Sequence, residues 1–247
     1  MRFSGKTVLI VGAASGLGAA VAEAFSAEGA TLVLVDRNAD IVDIAAALPA
    51  ASGIIGDATQ PATASAAIAG AAPDILFHAA GIDPLSASDV PGTSLADWNT
   101  ILAVNLTSAF VFAHTVLPGM IARRAGTILF TASTAGIKPT PREVAYAVSK
   151  AGLIQLARAI ALDHARDGIR ANALCPGFLE SVMADRKAAM TAHDRAERSM
   201  NAAAIVPLQR EGRYAEMAAL ALTLCDDAVS GYVTGQAIVA DGGLLLT

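Results

Sequence analysis

Lys6-Thr7-Val8-Leu9-Ile10-Val11-Gly12-Ala13-Ala14-Ser15-Gly16-Leu17-Gly18 decides the fold of this 247-residue chain. Lys6 to Val11 is a short apolar run with the length of a buried strand. Glycines at 12, 16 and 18 then permit a tight turn and a close approach of a phosphate-bearing ligand to the backbone. From Gly16 to Gly29, Leu17, Ala20, Val21, Ala24 and Phe25 recur at three- and four-residue spacing. That predicts a helix, whose first N–H groups and positive dipole end suit an anion. The glycine spacing alone would fit a plain loop. Its place between a strand and a helix, at the start of a βαβ unit, predicts a dinucleotide site.

The same alternation runs outward along the chain. Strands are predicted at Thr31 to Val35, Ser52 to Gly56, Asp74 to His78, Gly126 to Thr131, Ile169 to Cys175 and Ala237 to Val239. Helices are predicted at Ala39 to Leu48, Thr63 to Ala69, Leu95 to Ala103 and Leu106 to Arg123, with a long one from Pro141 or Ala145 to Arg166. Strands apolar throughout, separated by helices, predict a parallel sheet covered on both faces. The expected architecture is therefore α/β, a Rossmann-like doubly wound parallel sheet of about seven strands. Residues 1–247 form a single domain in this reading, with 181–210 as a substrate-side helical lid.

Composition narrows the class. Hydrophobic residues make up 54% of the chain and charged ones 16%, with a mean hydropathy of +0.53. Alanine supplies 57 of those residues, so the apolar content is small side chains that permit close packing. The longest stretch without a formal charge, Trp98 to Ala122, has 25 residues, enough to cross a bilayer. Asn105 and His114 within it would be costly in lipid, so a buried soluble helix is the preferred reading and no membrane is expected. The N-terminus runs straight into strand-like sequence, without a secretory signal pattern. A net charge of −5 with scattered signs argues against nucleic acid as a partner. Cys175 and Cys225 fit no metal spacing, so free thiols in a reducing, cytoplasmic compartment are expected and no metal site is assigned.

Asp36 ends the second strand, 24 residues after Gly12. A carboxylate there accepts hydrogen bonds from a ribose diol and repels a 2′-phosphate, favouring NAD over NADP, though Arg37 beside it offsets part of the repulsion. Tyr146-Ala-Val-Ser-Lys150 places a phenol and an ammonium four apart on one helix face. A nearby cation favours the phenolate and so makes the tyrosine an acid–base group. Ser133 lies just past the strand ending at Thr131, at the edge where open α/β sheets bind ligands. Its hydroxyl can donate to a developing alkoxide.

On these residues the chain resembles the short-chain dehydrogenases/reductases along its whole length. The resemblance implies cofactor contacts at Gly12, Ser15, Gly16, Leu17, Gly18, Asp36, Arg37, Asp57, Ala58, Ala80, Gly81, Tyr146, Lys150, Pro176, Gly177, Leu179 and Ser181. It implies a catalytic tetrad of Asn105, Ser133, Tyr146 and Lys150, with water near the Asn105 backbone completing a proton relay. Asp241-Gly242-Gly243 matches the family's C-terminal motif. Three positions depart from it: Val11 stands where threonine is usual, Ser181 replaces a threonine, and His78-Ala79-Ala80-Gly81 replaces Asn-Asn-Ala-Gly. His78 is expected to be packed or backbone-bonded rather than catalytic. Asn105 has two readings, a site residue or the cap of the second of two helices.

The implied activity is hydride transfer between NAD(H) and a secondary alcohol or ketone. The expected substrate is neutral, moderately hydrophobic or polyol-like, held by Ser133, Ala135, Val144, Phe178 and Met183, with Ile137 and Met190 nearby and Asp83 and Leu85 at the rim. A ketoacyl-thioester reductase is the alternative within the family. The absence of a basic residue from Ala14-Ser15-Gly16, and the presence of Asp36, weigh against it. A non-catalytic NAD-binding scaffold is opposed by the intact tetrad. The family further implies a homotetramer, joined through Leu106–Arg123 and Ala145–Arg166 and through the apolar tail Ala237 to Thr247.

Overall fold

The computed structural model describes residues 1–83, 88–180, 202 and 204–247. Among them, one seven-stranded sheet has the order β3-β2-β1-β4-β5-β6-β7. The strands are β1 Thr7–Val11, β2 Thr31–Asp36, β3 Ala51–Ile55, β4 Ile75–His78, β5 Gly126–Thr131, β6 Ile169–Pro176 and β7 Ala237–Ala240. Every neighbouring pair is parallel. The helices are α1 Gly16–Ala27, α2 Ile41–Ala46, α3 Pro61–Ile68, α4 Leu95–Leu102, α5 Ser108–Arg123, α6 Val144–His164, α7 Tyr214–Cys225 and α8 Asp227–Ser230. Strand order reverses between β1 and β4, which opens a crevice at their carboxyl ends.

Alternation along each strand splits the core. Leu9 and Val11 face one layer with Leu76, Ile128 and Phe130, closed by Phe112 and Val116 of α5 and Leu153 and Ala157 of α6. Val8 and Ile10 face the other layer with Leu34, Phe77 and Leu129, closed by Val21 and Phe25 of α1 and Met217 and Ala221 of α7. Both faces are dry, so apolar residues fill consecutive strand positions.

Several local readings change. The predicted break between two helices at Asn105 is a π-turn, Ala103–Thr107, that joins α4 to α5 without interruption. The helix predicted over Ala39 to Leu48 is confined to Ile41–Ala46, because Asn38 and Asp40 bond each other in a turn before it. Helix α7 has no counterpart among the predicted elements, although Met217, Ala218, Ala221, Leu222 and Cys225 lie on one helical face. Of the two proposed starts for the long helix, the later is nearer, since Arg142 takes a left-handed conformation (φ 65°) just ahead of Val144. The proposed lid falls mostly outside the described residues. So do Ser181, Met183, Met190 and Leu85.

Leu95–Arg123 is, among the described residues, a helical stretch long and apolar enough to cross a membrane, with 39% of its most apolar window buried in this chain. Its inner face is core. Its outer face carries Phe110, which stacks on His114.

Arg170 of β6 fastens the sheet to α7, α8 and the turn before β7. Its guanidinium donates to the carbonyls of Leu224 and Val233 (both 3.1 Å), to Thr127 Oγ1 (3.2 Å) and to Asp227 Oδ1 (2.8 Å). Both carbonyls keep a second donor, Ser230 Oγ and Asn172 Nδ2 respectively. Arg170→Leu should therefore lower unfolding free energy by ~2 kcal/mol in urea titration. Asp227→Asn should cost under about 1 kcal/mol, because that carboxylate is mostly exposed.

Candidate functional site

The glycine turn is shaped by backbone contact. At Gly12 (φ +83°) a Cβ would lie 2.6 Å from Ala80 N, and at Gly18 it would lie 1.9 Å from the Gly12 carbonyl oxygen. No side chain fits at either place. The turn from β1 is thus pressed against Ala80 beyond β4, and two expected cofactor segments meet. Ser15 precedes α1 in extended conformation and makes no side-chain cap bond, and the first turn of α1 holds no acidic residue. These N–H groups and the absent side chains fit a pyrophosphate.

Asp36 is tied to the same turn. Its Oδ2 accepts from Ala14 N (2.9 Å) and its Oδ1 from Asn38 N (3.0 Å). Each oxygen keeps a further lone pair for a ribose hydroxyl. Arg37 beside it is exposed. Asp57 and Ala58 follow β3, where Asp57 Oδ1 accepts from Thr59 N (2.8 Å). On the other side of the crevice Gly177 N donates to Ala240 O (3.1 Å), and a Cβ on Gly177 would lie 2.9 Å from Asp241 Cα. Asp241 in turn accepts from Gly243 N and Leu245 N, so the C-terminal motif braces the Pro176–Gly177 turn. Leu179 pairs with Gly212 in a short bridge.

Lys150, Tyr146 and Asn105 come together beside the carboxyl ends of β4 and β5, and Ser133 follows β5 by two residues. Lys150 is buried, and its Nζ donates to the Thr131 carbonyl (2.8 Å) and lies 5.6 Å from the centre of the Tyr146 ring. Burial pulls the pKa of its ammonium down to about 8, with Asp83 pulling the other way. Ser133 Oγ accepts from Ala135 N (3.1 Å), which fixes its oxygen and leaves its proton for another acceptor. Gly136 allows this loop to lie on α6, since a Cβ there would be 2.7 Å from the Lys150 carbonyl carbon.

Asn105 is fully buried and its amide is fully used. Oδ1 accepts from Ile82 N (2.7 Å), while Nδ2 donates to Ile82 O (3.0 Å) and Ser149 Oγ (3.2 Å). It caps no helix. It clamps the residue after Gly81, where a Cβ would meet Asn105 Oδ1 at 3.3 Å and Lys150 Nζ at 3.5 Å. The partners of these groups were not foreseen from sequence. Ile82 and Thr131 act through backbone atoms, which leave no residue-type signal, and Ser149 sits unremarkably between Tyr146 and Lys150. Tyr214 was also missed; a Cβ on Gly16 would lie 3.2 Å from its phenol oxygen.

Of the expected substrate-pocket residues, Ala135 sits in the turn after Ser133, Val144 opens α6 and Phe178 follows Gly177. Both cysteines are free and buried, and burial raises the pKa of Cys175 to about 11 and that of Cys225 to about 12.

A family model described as enoyl-(acyl carrier protein) reductase matches residues 12–245. The chain is 36% identical over 251 residues to galactitol 2-dehydrogenase (L-tagatose-forming) of Cereibacter sphaeroides, spanning 98% of this chain and 96% of that protein. It is 35% identical over 263 residues to the 3-oxoacyl-(acyl-carrier-protein) reductase FabG of Thermotoga maritima, spanning all of both. Among solved structures, an oxidoreductase of the short chain dehydrogenase/reductase family from Burkholderia thailandensis superposes with a TM-score of 0.88 at 32% identity, covering 98% of this chain and 93% of that one.

The Lys150 shift has a direct check. Among the four lysines, one [13C]methyl or 13Cε resonance should titrate near 8 and vanish in Lys150→Met. A midpoint near the ordinary 10.5 would contradict this burial. The folded state gives up this proton before the unfolded chain does. The cost to folding is therefore fully present below about 8 and fades as pH rises towards 10.5.

Proposed function

The chain belongs to the short-chain dehydrogenase/reductase family of oxidoreductases, and from that premise we propose that it moves hydride between NAD(H) and a neutral secondary alcohol or ketone. One observation carries the reading: Lys150 Nζ lies 5.6 Å from the centre of the Tyr146 ring and donates to the Thr131 carbonyl, two residues before Ser133. Bound across the crevice, the nicotinamide supplies the hydride acceptor or donor. Gly12, Gly16, Leu17 and Gly18 would hold the pyrophosphate, Asp36 the adenosine ribose, and Pro176 and Gly177 the nicotinamide side.

Each side chain then has one task. Tyr146 Oη takes the substrate hydroxyl proton, or returns it in the reverse direction. Lys150 stabilises the resulting phenolate by its charge. Ser133 Oγ, oriented by Ala135 N, donates to the substrate oxygen as negative charge gathers there. Asn105 holds the Gly81–Ile82 segment against Lys150.

Two observations support a neutral substrate. Ala135, Val144 and Phe178, the described members of the expected substrate pocket apart from Ser133, are all apolar. Asp83 stands close enough to act on the Lys150 charge, and would repel an anion brought to Ser133. A relative that acts on a polyol agrees with this reading. The thioester-reductase reading is the second one, favoured by the FabG relative and opposed by Asp36 beside the ribose position. Tyr146→Phe should keep NADH affinity and lose at least about a thousandfold in turnover. The decisive assay is a panel of secondary alcohols, galactitol included, and a 3-oxoacyl thioester, each with NAD and NADP. Strong NADP preference would refute the role given to Asp36.

The exposed Phe110, Val148 and Leu162 on α5 and α6, and Leu246 in the tail, support a homotetramer built on those surfaces, and the net charge of −5 speaks against nucleic acid as a partner. Lys138 Nζ meets the Thr247 carbonyl, so the tail is docked on its own chain as well. Deleting residues 243–247 should reduce the mass seen by light scattering, and an unchanged mass would remove the tail from the interface.

A further inference from the structure

His78 ends β4 inside the core, with its ring edge-on to Phe112 and Phe130 (centroids 6.0 and 6.5 Å apart). Its Nε2 lies 3.0 Å from Ser108 Oγ, and Ser108 Oγ donates to the Val104 carbonyl at 2.5 Å. A hydroxyl has one proton. With that proton on Val104, the bond to the ring must be donated by the histidine, which fixes the Nε2–H tautomer. Nδ1 then carries a lone pair and meets no partner among the described residues. Burial, reinforced by the Lys150 charge, drives the pKa of the imidazole down to about 3. It is therefore neutral around pH 7, and no charge exchange is assigned to it.

The π-turn explains what such a donor is for. In an α-helix Ser108 N would bond the Val104 carbonyl. Here Ser108 N reaches back to Ala103 O instead, and the Ser108 hydroxyl takes up Val104 O. The wide turn is thus closed by one side chain, and that side chain is held in place by the ring. Asn105 sits within this turn, and its grip on Ile82 and Ser149 depends on where the turn puts it. Ser149 Oγ donates to the Tyr146 carbonyl (2.7 Å), so the chain of bonds ends on the helix that carries Tyr146 and Lys150.

We propose that His78, acting through Ser108, is a positioning residue that locks the π-turn and so sets Asn105 and the Gly81–Ile82 segment against Lys150. This rests on the oxidoreductase reading for its catalytic consequence and on geometry alone for the lock. Asp83 from the loop beyond β4 and Cys175 from β6 act on the Lys150 charge, the Tyr146 ring lies 5.6 Å from its Nζ, and neutral His78 of β4 feels that charge without adding one. Releasing the turn would open these groups to water, which would lift the Lys150 pKa towards its ordinary value.

The test compares His78→Leu and Ser108→Ala with the wild type, each shown folded by its thermal melt. Ser108→Ala is the milder change if the histidine variant fails to fold. With the alcohol that the wild type oxidises fastest, kcat should fall about tenfold or more in both variants, with NADH affinity changed less than about twofold. The double variant should lose no more than either single one. Without any substrate, the Lys150 NMR midpoint should move up from its wild-type value in both variants, and 15N spectra of the wild type should show protonated Nε2 and bare Nδ1. An unmoved Lys150 midpoint, or the opposite tautomer, overturns the lock. A wild type inactive on the whole panel would instead overturn the proposed function, and the two spectroscopic readouts would still decide the lock.

Discussion

The amide of Asn105 holds three parts of the molecule in one place: the segment beyond β4, the π-turn between α4 and α5, and the start of α6. A buried amide left unsatisfied costs roughly 1–3 kcal/mol. Here the acceptor and both donor hydrogens meet partners at 2.7 to 3.2 Å, so burial and function do not conflict. Two of those bonds go to one residue, Ile82. The pairing imitates a strand neighbour and carries the order of β4 past its last residue, to where Gly81 faces Lys150.

The rest of the site is a consequence of parallel sheet geometry. Parallel strands deliver all their carboxyl ends to one edge, and the reversal between β1 and β4 leaves that edge uncovered by a crossing connection. Gly12 and Ala80, Thr131 and Lys150, Gly177 and Asp241 are pairs brought together from remote sequence by this edge. Small residues make the approach feasible. A methyl at Gly18 would collide with the Gly12 carbonyl, and one at Gly152 would lie 2.6 Å from Leu106 Cδ2. Ala109, Ala113, Ala157 and Ala161 of α5 and α6 belong to the same constraint, since they are the short side chains packed in the core under those helices.

Strand positions were legible because both faces of the central sheet are buried, so apolar runs mark β1, β2 and β4, while β6 carries Arg170 and Asn172 among its apolar residues. The Tyr146 and Lys150 pair and the glycine turn were legible because their chemistry demands particular residue types at fixed spacing. The illegible parts lie in backbone atoms and in helix geometry. Thr131 and Ile82 serve through groups that every residue possesses. The π-turn differs from an α-helix by one shifted hydrogen bond, which changes no periodicity long enough to detect, and the polar Asn105 suggested a cap for the same reason that it suits the turn. The helix Tyr214–Cys225 has a regular apolar face, but alanines and leucines on its other faces blur the contrast that would mark it.

Lys150 sets the terms on which this edge is stable. A buried ammonium is costly, and burial pulls its pKa down to about 8. The Thr131 carbonyl offsets part of the cost, and Asp83 another part. An anionic group at position 78 would offset more, but it would hold Lys150 to itself and weaken its effect on Tyr146. A charged imidazole there would do the opposite and raise the cost further. His78 held neutral, with its one N–H spent on Ser108, adds neither charge, and so it can hold Ser108 without changing the charge beside Lys150.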